Sequence, residues 1–261
     1  RIAELVTKFS FTIYGGLGDF ILTFLGSPGN RLAHLCKQIP CDQLLFRAAR
    51  NPAGMELLVG SEYHDRFEFF VEDPNFRVKL PNDIEKIANL QDYPKLIPYI
   101  WLNKEEEDIL LSIKRPYAVV HPFASCQSRY LSSAFNVARL IQWIADVSGI
   151  NVIVVGKEKF NYESKNVRQI FGSTRLSVRI IQNATFLVGT HSSMLCAAWV
   201  YSVPALCLGP SQLLLHNWYG PNTFDSHLKS LFINDNMFML FDEAPYFGYF
   251  FEHFLNFRLK N

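Results

Sequence analysis

Asp19 closes the run Gly15-Gly16-Leu17-Gly18-Asp19, and the segment Gly189-Thr190-His191-Ser192-Ser193 places three hydroxyls beside two glycine- and histidine-bearing positions. A carboxylate at the mouth of a glycine turn can take a proton from an incoming hydroxyl. It can equally act as a helix N-cap worth about 1 kcal/mol. Glycines such as Gly15, Gly16 and Gly18 let a backbone approach a ligand closely, and a helix start behind them attracts an anion. Thr190, Ser192 and Ser193 precede an apolar helical stretch, so their hydroxyls and the free amides there form a cradle for phosphate. Ser192 alone would be an ordinary cap. His191 is open to three roles: a base, a phosphate donor or a packed imidazole.

Two further positions carry charge suited to a nucleotide. Arg129, in the turn after His121-Pro122-Phe123-Ala124-Ser125, has the planar fork that pairs with a diphosphate, against the plain alternative of a solvated arginine. Glu158, in Gly156-Lys157-Glu158, can accept hydrogen bonds from sugar or ribose hydroxyls, or simply lie in a charged surface loop. Other chemistries lack their residues. The turn at Gly16-Leu17-Gly18-Asp19-Phe20-Ile21 misses the third glycine of GxGxxG, no Gly-Lys-Ser/Thr P-loop is present, and there is no GxSxG elbow. No HExxH occurs, no DxD follows a strand and the seven histidines are dispersed, so neither a metal nor any other bound cofactor is expected.

These turns need strands in front of them and helices behind. Phe9 to Tyr14 alternates as a strand, Phe20 to Leu25 starts a helix, and Asp42 to Arg47 and Phe67 to Val71 read as further strands with a short helix from Pro52 to Ser61 between them. Residues 73–98 are punctuated by Pro74, Pro81, Pro94 and Pro98 and read as a connection, followed by a charged helix from Lys104 to Ile113. A second alternation then begins. Tyr117 to His121 is a buried strand and Ala134 to Val147 a helix. Asn151 to Val155 is a strand, and Glu163 to Ile170 and Ser177 to Asn183 are helices. Thr185 to Val188 is a strand, Met194 to Tyr201 a helix and Ala205 to Leu208 a strand. Ligands of such wound sheets bind beyond the carboxyl ends of the strands, where all the residues above fall.

The expected organisation is therefore α/β: two Rossmann-like doubly wound domains facing a cleft, the first of them reduced. The divisions are residues 1–113, 114–235 and an aromatic, helical C-terminal segment 236–261. A chain of 261 residues is long enough for two modest cores. The net charge of +1 gives no bias toward polyanions and argues against nucleic acid as a partner. Five scattered cysteines without a CxxC pair argue against a disulfide framework or a structural zinc and fit a reducing cytoplasm. No apolar run reaches the roughly 20 residues of a membrane span. Tyr246, Phe247, Tyr249, Phe250, Phe251, Phe254 and Phe257 form an aromatic cluster that can dock on the chain's own core, on a partner or peripherally on a bilayer.

At these turns the sequence resembles the ADP-heptose:lipopolysaccharide heptosyltransferase family of GT-B glycosyltransferases. YGGLGDFILT is similar to its opening strand and Gly-Asp turn, PYAVVHPFAS to the strand that starts its donor half, and VIVVGKEKF to the strand after it. ATFLVGTHSSMLCAAWVYSVPALCLGPS is similar to its donor-binding strand, helix and strand. The resemblance implies an inverting, metal-independent transfer from a nucleotide-diphosphate sugar to a glycan or glycolipid hydroxyl, lipopolysaccharide being one candidate. It implies Asp19 as the base, Arg129 on donor phosphate, Glu158 near the nucleoside, with Glu163 as an alternative alignment, and Thr190 in the donor loop. The loop departs from the family: Gly189, Thr190 and His191 replace an Asp-Thr-Gly, and Met194 stands where a histidine is usual. Two other readings remain open, a sugar-nucleotide epimerase and a catalytically silent nucleotide-sugar or partner-binding protein.

Overall fold

The structure, a computed structural model, describes residues 9–13, 17–18, 21, 44–48, 56–57, 67–69, 100–124, 136–157, 162, 164–190, 192–209 and 237–241. The chain divides into two compact units, Arg1–Trp101 and Leu102–Asn261.

In the first unit, strands β1 (Phe9–Ile13), β2 (Leu44–Ala48) and β3 (Phe67–Phe69) form a parallel sheet in that order, with Phe9 opposite Leu44 and Phe46 opposite Phe67. Parallel neighbours cannot be joined by tight hairpins, so the chain crosses over between these strands. Leu17, Gly18 and Ile21 are helical and Ile21 is fully buried, so helical structure occurs ahead of the Phe20 at which it is expected to start. The proline-punctuated stretch 73–98 and the aromatic residues 242–261 lie outside the described residues.

The second unit carries the larger sheet. Its elements are α1 (Lys104–Leu111), β4 (Tyr117–His121), α2 (Val137–Ser148), β5 (Asn151–Val155), β6 (Val167–Ile170), α3 (Thr174–Gln182), β7 (Phe186–Gly189), α4 (Ser193–Val200), β8 (Ala205–Gly209) and β9 (Met237–Phe241). The sheet runs β6-β5-β4-β7-β8-β9, every pair parallel. Counted in order of appearance this is 3-2-1-4-5-6, the doubly wound order of mononucleotide-binding halves.

Burial explains why these strands form where they do. Tyr117 to His121 is buried throughout, as is Val152 to Val155, and a parallel strand covered on both faces has no polar alternation to show. One face packs on α2, whose buried residues Val137, Leu140, Ile141, Ile144 and Ala145 repeat at helical spacing against Ala118, Val120, Val152, Val154, Phe186 and Leu206. The intervening residues Val119, Ile153 and Leu187 are buried too, so the opposite face is also covered. Asn136 caps α2, its Oδ1 accepting the Arg139 amide at 3.1 Å. Tyr117 Oη donates to the Ile180 carbonyl at 2.7 Å, fastening the start of β4 to the end of α3.

Two expectations are corrected. Glu163 to Ile170 is not a helix: Val167–Ile170 is strand β6, paired with Val152–Val155. Val167 and Ile170 are spaced like a helical stripe, but pairing with the open edge of β5 decides the outcome. The segment 236–261 was expected to be helical, yet Met237–Phe241 is strand β9, whose run of methionine, phenylalanine and leucine pairs with Ala205–Gly209.

Helix α1 belongs to the second unit. Asn103 and Glu106 form a reciprocal capping box: the Glu106 amide donates to Asn103 Oδ1 at 2.9 Å and the Asn103 amide to Glu106 Oε2 at 3.0 Å. The same carboxylate receives Arg175 Nε at 2.8 Å and the hydroxyl of Ser173, the N-cap of α3. One buried glutamate thereby joins the heads of two helices.

Candidate functional site

The strand order reverses between β4 and β7, and a crevice at the carboxyl ends of those two strands is where this architecture binds ligands. His121 ends β4 and pairs with Gly189, which ends β7. A Cβ on Gly189 would lie 3.0 Å from the His121 carbonyl oxygen and 3.3 Å from its Cβ, so the residue is glycine because the two strand ends touch. The Thr190 amide donates to that His121 carbonyl at 3.2 Å, extending the ladder one step.

Beyond Thr190 the chain turns into α4. Ser192 Oγ lies 2.9 Å from His121 Nδ1, and the Ser192 carbonyl accepts the Leu195 amide at 3.1 Å. The body of α4 is apolar, with Met194, Leu195, Ala197, Ala198 and Val200 buried, which fixes its head at the sheet end. On the other flank, Gly156 follows β5 with φ +149, a conformation side-chain-bearing residues rarely adopt. Its open side faces the edges of His121 and Phe123, with Cδ2 of each 3.9 Å from where a Cβ would stand. His121 therefore sits between a glycine and a serine at the reversal point. Burial pushes its pKa down to about 4, so near neutral pH the ring is uncharged and holds a single N–H.

The described part of the expected donor site thus comes together at one place. Gly189 is at the strand end, and Ser192 and Ser193 are half-buried at the head of α4. Thr190 is only 2% exposed, so its hydroxyl faces inward and the hydroxyls within reach of a ligand are those of the two serines. Gly18 lies in the first unit and is helical. Gly15, Gly16, Asp19, Arg129, Glu158 and His191 lie outside the described residues.

His121 is a residue of this strand end that the sequence alone does not single out. Its signal was a polar residue closing the fully apolar run Ala118 to Val120 at a carboxyl strand end. Among the described residues no group of three or more His, Cys, Asp or Glu could hold a metal ion, and no helix is long and apolar enough to cross a membrane. Cys207, buried in β8, has its pKa pushed up to about 12 by burial and is not a reactive thiolate. A shallow hollow lined by Lys104, Asp108, Ser112 and Arg168 lies on α1 and β6, and there Arg168 Nη1 donates to Ser112 Oγ at 2.7 Å.

The structure of E. coli ADP-heptose LPS heptosyltransferase II matches 97% of this chain and 98% of its own length, with a TM-score of 0.60 at 12% identity. This chain has a heptosyltransferase-like fold. The iron-containing dodecameric heptosyltransferase TibC, in complex with ADP-D-beta-D-heptose, matches 80% of the chain with a TM-score of 0.45 and 16% identity, and the chain spans 63% of its length. E. coli heptosyltransferase WaaC with ADP matches 89% of the chain and 90% of its own length, with a TM-score of 0.48 and 12% identity. No family model and no curated protein matches the sequence. At such identities the likeness is one of fold, and within the heptosyltransferase-like fold the residues at the strand ends must speak for function.

Proposed function

We propose that the chain is a glycosyltransferase that takes a sugar from a nucleotide-diphosphate donor and passes it to a hydroxyl of a glycan or glycolipid acceptor. The observation that carries this reading is the pairing of buried His121 with half-buried Ser192 beside Gly189, at the reversal point of a 3-2-1-4-5-6 sheet in a chain of heptosyltransferase-like fold. The heptosyltransferase II whose structure shares this fold is named for ADP-heptose, which makes a nucleoside diphosphate the first ligand class to try.

In this proposal Ser192, Ser193 and the amides at the head of α4 hold the diphosphate, with Arg129 as the cation. Glu158 accepts hydrogen bonds from ribose or sugar hydroxyls. Asp19 removes the acceptor proton while the acceptor oxygen bonds to the anomeric carbon and the diphosphate departs from the opposite face, giving inversion. Negative charge growing on the leaving diphosphate is met by Arg129 and the helix amides, so the step needs no metal.

Two measurements test the reading. A panel of nucleotide sugars should raise the melting temperature for at least one donor, since a ligand bound only to the folded state stabilises it. With that donor, Asp19→Asn should cut turnover by about a hundredfold or more, the usual contribution of a positioned base, and leave donor affinity nearly intact. Undiminished turnover by Asp19→Asn would remove Asp19 from the mechanism.

A further inference from the structure

The two sheets differ in what falls on their faces. Successive residues of a strand alternate between faces, and register partners in neighbouring parallel strands share one. In the first sheet the rows Phe11, Phe46, Phe67 and Ile13, Ala48, Phe69 therefore fall on one face. Thr12, Arg47 and Glu68 form a single row on the other, next to the pair Ser10 and Leu45. A parallel sheet covered on both faces is apolar on both, as β4, β5 and β7 are. The first sheet is apolar on one face and, Leu45 apart, polar on the other.

Strand order leads to the same division by a separate route. Crossovers between parallel strands are right-handed in nearly all cases, so two that step in the same direction put their helices on the same face. β1, β2 and β3 lie in chain order, and both crossovers hold helical residues, Leu17, Gly18 and Ile21 in one and Glu56 in the other. Ile21 and Leu57, one from each crossover, are buried. The phenylalanine-rich face is the one that such residues cover. In the second unit the order reverses at β4 and both faces are covered. Neither crossover of the first sheet serves the face of Thr12, Arg47 and Glu68.

We infer that this polar face is open and is a docking surface for an uncharged, hydroxyl-rich stretch of the glycan acceptor. The partner's part in this rests on reading the chain as a glycosyltransferase; the open face does not. The row lies one residue short of the carboxyl ends of its strands, the edge at which wound sheets bind ligands. At a strand spacing of about 4.8 Å its three members span about 10 Å. A hydroxyl that donates and accepts, a guanidinium that donates and a carboxylate that accepts follow one another along it, which suits the paired donors and acceptors of sugar hydroxyls. Arg47 and Glu68 are register neighbours of opposite charge, so the row has no net attraction for a polyanion.

Thiol labelling of the full chain, read by peptide mass mapping, tests the face. Ser10→Cys and Thr12→Cys should react with a maleimide nearly as fast as in denaturant. Ala48→Cys, on the apolar face, should react about a hundredfold or more slowly, because a covered thiol reacts only when the structure opens. Equal protection at positions 12 and 48 overturns the open face. A glycan array, followed by calorimetry with the neutral oligosaccharide that binds best, tests the partner. Replacing both charges at once, Arg47→Leu with Glu68→Leu, leaves no unpaired charge to unfold the sheet. That double variant should bind the oligosaccharide about tenfold or more weakly, and Thr12→Val about fivefold, while stabilisation by a nucleotide sugar stays as in the wild type. If the double variant does not fold, Thr12→Val decides. Unchanged glycan binding in the folded variants, no neutral glycan bound by the wild type, or a preference for anionic glycans overturns the partner. Failure of every nucleotide sugar to stabilise the wild type overturns the transferase reading, whereas the labelling still judges the face by itself.

Discussion

Ser173 and Ser192 stand at the heads of two helices of the second unit, and their side chains are used in opposite ways. Ser173 Oγ accepts the Leu176 amide at 3.1 Å and gives its proton to Glu106, so its hydroxyl is spent on holding α3 and α1 together. Ser192 Oγ turns away from the amides of α4 to a neutral imidazole on a neighbouring strand. At the first head an ion pair, a cap and a capping box satisfy one another. At the second, a hydroxyl and the start of a helix are kept at the carboxyl end of the sheet, where a ligand of this architecture would sit. The same residue type in the same local position is structural in one place and available in the other. What separates them is the partner the topology supplies.

Removing the hub of the structural corner should have the largest effect. Glu106→Ala leaves Arg175 and Ser173 unpaired in a largely buried place and should cost about 3 kcal/mol in denaturant titrations. A loss below about 1 kcal/mol would mean that the corner behaves like a surface ion pair and that the contrast with Ser192 is overstated.

Acid should separate the two regions next. Burial holds the folded His121 at about 4 against 6.5 when unfolded, so between these values the unfolded chain takes up a proton that the folded chain refuses. Stability from this group is complete above pH 6.5 and falls as pH drops toward about 4, by about 3 kcal/mol in all. His121→Asn should flatten that window. At Glu106, burial alone would raise the pKa, but hydrogen bonds from Ser173, Arg175 and the Asn103 amide, with the charge of Arg175, outweigh it and hold the carboxyl below its usual 4.5. Its contribution is present above 4.5 and is lost as pH falls through the lowered value, and Glu106→Gln should remove only that lower, more acidic part. A steep loss between pH 6.5 and 4.5 that survives in His121→Asn would contradict the buried neutral ring.

The smallest effect is the most discriminating. Ser173→Ala should cost about 1 kcal/mol or slightly more of stability, as loss of an N-cap does. Ser192→Ala should change the melting temperature little, its cost appearing in ligand binding. Equal stability losses from the two serines would erase the distinction drawn between them.

The fold was legible where burial is uniform. Tyr117 to His121 and Asn151 to Val155 stand out in the sequence because strands covered on both faces are unbroken apolar runs, and their observed bounds are the expected ones. β6 was not legible: Val167 and Gln169 are half-buried and Arg168 exposed, so its local pattern does not separate strand from helix, and only pairing with β5 settles it. The hydroxyl-bearing turn after β7 was visible as a cluster of small polar residues behind a strand. His121 was not, because its partner Ser192 is 71 positions away and the register that opposes His121 to Gly189 is a property of the sheet.

That register also has a consequence for biosynthesis. β4 gains its β5 neighbour soon after it is made, but its other edge stays unpaired until β7, some 65 residues later, is added. Through that interval the nascent chain carries a Tyr-Ala-Val-Val-His strand with one open edge, which is the kind of segment that pairs with other chains. A polypeptide cut short between β5 and β7 should therefore aggregate, and the His121–Ser192 contact cannot close until the turn after β7 has been made.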